Sequence, residues 1–390
     1  VNVPNGTQFT SFYVQGFEGA TGTASVTATA TGFNQGSASV NVVQPGIVLS
    51  GLVTSTTTLS ADDHFYAFVG IPSGNTVSTQ DVRAGSQGVI VTFSVDNLGV
   101  AQLTNGQITG DTVTSVIVSG LYYTPTSVAA GGVAFDPVGV GTATVRARAP
   151  GFVAQPLATQ QVTVTAPTIT VSVPGTVGAG LQASASVSLG ASNHGGVTLT
   201  LTSSDSTTLL VSPNATTPGS RSFSVNVPNG TQFTSFYVQG FEGATGTSVV
   251  TATAAGFLNG TAQTSVVQPG IIISGLPSSL SAGAANRHFY AFVGIPSGNT
   301  VSTQDVRAGS PGVTVTATTS NVSVARLVTQ TATGASVTAA IAPGVYHTPT
   351  SVAAGGIELD PLAAGQTTVS VSAPGFVAQP LATQQVTITP

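Results

Sequence analysis

An all-β fold of tandem β-sandwich domains follows from three properties of this 390-residue chain. The first is alternation. SVTATATGF (25–33), TVRARAPGF (144–152), VVTATAAGF (249–257) and TVSVSAPGF (368–376) each alternate a β-former with a small or polar residue. Period 2 puts one face inward and one outward, as in an antiparallel sheet. The second property is the lack of any stretch of ten or more residues with capped helical periodicity, so helices are expected to be short or missing. The third is spacing. The Gly-Phe pairs that close these segments begin at Gly32, Gly151, Gly256 and Gly375, separated by 119, 105 and 119 residues. Units of that length, with many short strands between turn signals, have the size of a β-sandwich.

The chain also repeats itself. Val1–Ala166 aligns without a gap on Val225–Pro390, an offset of 224 residues. VNVPNGTQFTSFYVQGFEGATGT at 1–23 returns letter for letter at 225–247, and HFYAFVGIPSGNTVSTQDVRAGS at 64–86 returns at 288–310. A long repeat in register points to stacked modules that extend, display or assemble rather than to a single catalytic fold. Each repeat holds two unequal modules, A and B. Proline-bearing junctions at Pro45-Gly46, Ala166-Pro167 and Pro269-Gly270 bound them. Residues 46–166 are a B module, 167–269 an A module and 270–390 a second B module. Residues 1–45 match only the last part of an A module, and the chain is expected to begin within a domain.

Composition narrows the function. Hydrophobic residues make up 41% of the chain, enough for real cores, while charged residues make up only 5% against about a quarter in ordinary soluble proteins. All seven basic residues are arginine, and the formal net charge of −5 is thinly spread. No basic stripe is present to neutralise several phosphates, so nucleic acid is not an expected partner. Cysteine is absent, which removes disulfides, thiolate metal sites and cysteine nucleophiles. Lysine is absent too, so Lys–Asn cross-links cannot form. The mean hydropathy of +0.37 comes from Val, Ala and Ile mixed with Thr and Ser, and no run of about 18 apolar residues is present to span a bilayer. No leader segment is visible before Val1, and the chain reads as processed or as part of something longer.

The A module reads GGVTLTLTSSDSTTLLVSP, SRSFSVNVPNGTQFTSFYVQG, GTSVVTATAAGF and SVVQP. This series resembles the bacterial immunoglobulin-like (Big-type) tandem repeats of extracellular surface proteins. The B segments VIVTFSVDNLGVAQLT, GTATVRARAPGF and QQVTVTAP are similar to the same superfamily. The resemblance covers nearly the whole chain. It implies tandem immunoglobulin-like sandwiches in a rod-like array, an extracellular or cell-surface location, and roles as stalk, spacer or adhesive array. It brings no catalytic residue with it.

Motifs for chemistry are few. His64, His194, His288 and His347 form no HExxH or ligand-spaced pair, and no G-x-S-x-G elbow occurs. Each histidine is expected on a strand edge with a hydrogen-bonded tip. No enzyme activity and no cofactor are expected. Calcium is the ion that scattered carboxylates raise. However, Asp62-Asp63 is replaced by Asn286-Arg287 in the second copy, and Glu18/Glu242, Asp81/Asp305 and Asp136/Asp360 each stand alone. Asp81 and Asp305 sit two residues before Arg83 and Arg307, which predicts local ion pairs or turns. Asp136-Pro137 and Asp360-Pro361 read as turn initiators. Asn5, Asn214, Asn229, Asn259 and Asn321 begin Asn-x-Ser/Thr sequons, common by chance in so Thr-rich a chain.

Aromatic residues are the candidate contacts. In HFYAFVGIP one face carries Phe65, Ala67 and Val69 and the other Tyr66 and Phe68, so both faces are apolar. Tyr66 under a loop and Tyr66 at a domain or chain contact both remain open. The candidate assembly or ligand contacts are Tyr13, Phe17, Tyr66, Phe68, Tyr122 and Tyr123, with their equivalents Tyr237, Phe241, Tyr290, Phe292, Tyr346 and His347.

The sequence favours a structural fibre, sheath or surface layer whose main partner is further copies of itself. β-proteins commonly guard their edge strands with lysine or inward-pointing charges, and this chain has almost none to use. At ~3.3 Å per residue a sandwich spans roughly 30–40 Å, so two modules end to end would repeat on the order of 70 Å. The alternatives are an adhesin that binds glycans or a cell surface, and spacer domains of a larger secreted enzyme.

Overall fold

Along Val89–Val95, Val91, Phe93 and Val95 are buried, while Ile90 is exposed and Thr92 and Ser94 are half-buried. This in-and-out pattern recurs throughout the computed structural model, which describes residues 1–390. The only helical elements are four 3₁₀ turns of three residues, Val128–Ala130, Pro156–Ala158, Val352–Ala354 and Pro380–Ala382. All strands fall into antiparallel or mixed sheets, and the chain is a set of tandem β-sandwiches. It forms two compact bodies, Val1–Ala166 and Pro167–Pro390.

In the first body, one sheet runs in the order Thr112–Ile117, Val89–Val95, Gly141–Arg148, Thr159–Thr165, Ser55–Thr57. The facing sheet is centred on the 11-residue strand Asp63–Ser73, flanked by Gly46–Ser50 and Val133–Pro137. Between them lie Ile47, Phe65, Val69, Phe93, Leu103, Val145 and Val162, all buried. Phe65 and Phe93 meet edge to face at 5.4 Å. The long strand folds back on Thr76–Thr79 with Ser73 opposite Thr76. That leaves a two-residue loop with Gly74 at φ 62°, the first-position glycine that a type II′ hairpin needs.

The second body contains a complete A sandwich followed by a B sandwich of the same plan. The A sheets are Thr170–Ser172, Leu181–Ser188, Phe233–Gly240, Leu209–Ser212 and, opposite, Thr176–Gly178, Gly260–Val267, Gly246–Thr253, Val197–Ser203, Ser222–Val227. Leu199, Leu201, Phe236, Val238 and Val250 fill the space between.

In residues 1–45, Gly22–Ala28 and Gly36–Val42 pair as a hairpin. In the complete A module Phe236 is fully buried on Phe233–Gly240, whose backbone N–H and C=O groups pair with Leu181–Ser188 and Leu209–Ser212.

Three sequence expectations are corrected. Asp136-Pro137 and Asp360-Pro361 end the strands Val133–Pro137 and Ile357–Pro361, in register with Gln102-Ala101 and Arg326-Ala325, so they close a ladder rather than start a turn. Arg83 and Arg307 do not pair with Asp81 and Asp305. Their partners are Glu18 and Glu242, 65 residues back in sequence and in the preceding A segment. The histidines do not share one environment. His194 and His347 contact backbone carbonyls, and His64 Nδ1 accepts from the Val128 N–H, but both ring nitrogens of His288 are buried without a partner.

Candidate functional site

Ten of the twelve aromatic and histidine candidates fall into two settings. The first is the outer face of the long B strand. In Asp63–Ser73, Phe65, Ala67 and Val69 point into the core, so alternation turns Tyr66 and Phe68 outward. The neighbouring strand adds Val48, in register with Phe68 and fully buried on the same side. Residues 121–124 then run along the strand edge. The Val69 N–H donates to Tyr122 O at 2.8 Å, the Thr124 N–H to Ala67 O at 2.9 Å, and the Ala67 N–H to Thr124 Oγ1 at 3.0 Å. This brings Tyr123 to 6.2 Å from Tyr66, with Tyr122 a further 5.0 Å beyond it. The outer face is a half-buried aromatic ladder, with Tyr122 its most exposed member.

The second B sandwich rebuilds the ladder with altered chemistry. Tyr290, Phe292, Tyr346 and His347 stack at 4.9–5.8 Å, and His288 joins the end at 4.7 Å from Tyr290. Glu358 stands opposite His288 where the first copy has Ala134 opposite His64. Burial raises the Asp305 carboxyl above its ordinary range, partly opposed by nearby His347. His288 is the member that sequence reasoning missed. The signal was present in its position two residues before Tyr290, which period 2 places on the same face.

Phe17 and Phe241 belong to the second setting, the A-to-B junction. Arg307 lies over the Phe241 ring at 5.4 Å and grips Glu242 with two bonds, Nε to Oε1 at 2.7 Å and Nη2 to Oε2 at 2.6 Å. The first body shows the same triad, with Arg83 5.5 Å from Phe17 and 2.9 Å from Glu18. The hydrogen bonds from Arg83 hold the Glu18 carboxyl below the usual range. Tyr13 and Tyr237 join neither group: Tyr13 is 94% exposed, and Tyr237 is half-buried on Phe233–Gly240.

No group of three or more His, Asp or Glu side chains gathers in a metal-binding arrangement. The recess beside Glu242, lined also by Gly180, Val306, Ser310 and Phe376, holds about 260 Å³. A second recess, lined by Thr314, Thr329, Gln330, Thr331 and Thr338, holds about 330 Å³. No helix is long and apolar enough to cross a membrane.

One carboxylate is held at a cost. Asp136 is pushed above its ordinary value by burial and then by the charge of Asp62. Its equivalent Asp360 instead accepts from Arg326 Nε at 2.8 Å, where the first copy has Gln102. A raised folded-state value means that the folded chain binds the proton more tightly than the unfolded one. Stability therefore falls as pH climbs from the unfolded value through the folded one. Asp136→Asn is expected to raise the denaturation midpoint at pH 7, with the difference vanishing at about pH 3, below the ordinary carboxylate range. A urea series at the two pH values checks it.

The sequence matches no protein-family profile and no curated protein. Among solved structures it is similar to Escherichia coli α2-macroglobulin activated by porcine elastase, at 11% identity and a TM-score of 0.20, over 91% of this chain and 34% of that one. A red sea bream transglutaminase matches at 12% identity and a TM-score of 0.28, over 58% of this chain and 32% of that one. The Yersinia pseudotuberculosis adhesin InvE matches at 16% identity and a TM-score of 0.21, over 56% of this chain and 58% of that one. The chain thus spans about a third of the length of the first two.

Proposed function

We propose that this chain is a non-catalytic, extracellular structural repeat protein whose modules assemble laterally with further copies of themselves into a fibre, sheath or surface layer. The observation that carries this reading is the uncharged state of the open sheet edges. Thr112–Ile117, Ser222–Val227 and Ser336–Ile341 are edge strands, and none contains a charged residue. On the outer face beside Thr112–Ile117, Ile90 and Val116 are cross-strand partners, 59% and 39% exposed. Beside Ser222–Val227, Thr198–Asn226, Thr200–Ser224 and Thr202–Ser222 form a ladder of side-chain hydrogen bonds at 2.9 Å. An edge with free backbone groups and no charge to desolvate is a template for pairing with another sheet.

Negative-stain electron microscopy of the purified chain tests the proposal. Filaments or sheets with a repeat on the order of 70 Å are expected. Single particles at every concentration, with a monomer mass by light scattering, would sink it. A second reading, an adhesin that stacks sugar rings, draws support from the exposed edge of the Tyr66–Tyr122–Tyr123 ladder. Specific glycan binding by a chain that stays monomeric would favour it instead.

A further inference from the structure

The A sandwich presents a docking surface that the B sandwich after it occupies. Leu181–Ser188 pairs along one side with Phe233–Gly240; its other side receives Thr170–Ser172 near one end and Asp305–Val306 of the B sandwich at the other. The register sets Leu181 opposite Val306 and Gln182 opposite Asp305. Side chains seal the joint. The Arg307 N–H donates to Gly180 O at 3.0 Å and the Ala308 N–H to Gln182 Oε1 at 3.0 Å. Gln304 accepts from the Gly178 N–H at 2.9 Å and donates to Thr176 O at 3.2 Å. Arg307 then closes on Glu242 beneath Phe241, its side chain only 10% exposed.

The first body repeats part of the joint. The segment Gln80–Ala84 is identical to Gln304–Ala308. The Arg–Glu–Phe triad forms in both bodies, Arg83 with Glu18 and Phe17 as Arg307 with Glu242 and Phe241, so it positions the segment. Leu181 goes further. It clusters with the hydrophobic core of the B sandwich and stands opposite Val306, although its backbone lies in the A sheet.

We infer that the A sandwich is a docking partner built for the Gln304–Ala308 segment of the following B sandwich, and that the latched pair acts as one load-bearing unit. Separating the pair breaks a sheet on one side and opens a core on the other, so neither sandwich yields alone. The inference stands whether or not the chain forms filaments.

Single-molecule stretching of the whole 390-residue chain reads it out. At about 3.5 Å per residue, joint failure of 167–390 releases roughly 75 nm in one step, beside a separate step of roughly 40 nm from residues 46–166. Arg307→Ala and Glu242→Gln are expected to split the long step into two of roughly 35 and 40 nm. The inference is overturned if the unaltered chain already shows two separate steps for 167–269 and 270–390. It is also overturned if both variants keep the single long step.

Discussion

Replacing Leu181 with alanine is expected to cost about 2–5 kcal/mol, the range for emptying a fully buried leucine site. The loss should appear in the second B sandwich rather than in the A sandwich whose sequence contains the residue. Leu181 is fully buried, stands opposite Val306 of the B module, and clusters with the buried residues of the B core. Removing its branched end leaves a cavity beneath the Asp305–Val306 strand and loosens the latch at the same point. Without tryptophan, the tyrosines carry the fluorescence, and Tyr290 and Tyr346 both lie in this sandwich. A guanidinium titration should show the tyrosine transition of the second body moving to lower denaturant in Leu181→Ala. Leu181→Met, which nearly conserves volume, should cost under about 1.5 kcal/mol. If Leu181→Ala and the unaltered chain unfold at one midpoint, the side chain does not support the B core.

Phe65→Ala should be the most damaging change in the first body, at about 3–5 kcal/mol. Phe65 is fully buried on the central strand Asp63–Ser73 and meets Phe93 edge to face at 5.4 Å. That aromatic geometry adds about 0.5–1.5 kcal/mol beyond area burial. The loss is a large fraction of the roughly 5–15 kcal/mol that holds a typical domain folded. The second copy offers a control. Phe289 is equally buried, but the position equivalent to Phe93 is Ala317, so Phe289→Ala lacks the ring–ring contribution. Calorimetry of the two variants should show the larger shift for Phe65→Ala. Equal shifts would mean that the ring pair contributes nothing beyond its area.

Much of the fold was legible because period-2 alternation is a local property. Thr-Val-Arg-Ala-Arg at 144–148 declares which residues face inward whatever surrounds it, and Val145 and Ala147 are buried. The two-faced apolar character of His64–Val69 was legible for the same reason, since neighbours on a strand alternate faces. The ion-pair partners were not. Arg83 and Arg307 each have an aspartate two residues away, and two residues apart on an extended strand is about 6.5 Å along one face. Their bidentate partners come from 65 residues earlier, brought near only when the A and B sandwiches meet. The unpartnered ring of His288 was hidden likewise, because Gly356 and Glu358, remote in sequence, pack beside it as well as Tyr290 of its own strand.

By itself the sequence determined an all-β chain, the two-module repeat and the inward face of each strand, because these depend on side-chain periodicity and turn residues along a few neighbours. Only the tertiary structure decided which strands meet. Phe233–Gly240 lies between Leu181–Ser188 and Leu209–Ser212, and Leu181–Ser188 also receives Asp305–Val306 from the next sandwich. These partners are far apart along the chain, and a strand cannot supply its own hydrogen-bond partner, so periodicity alone does not name them.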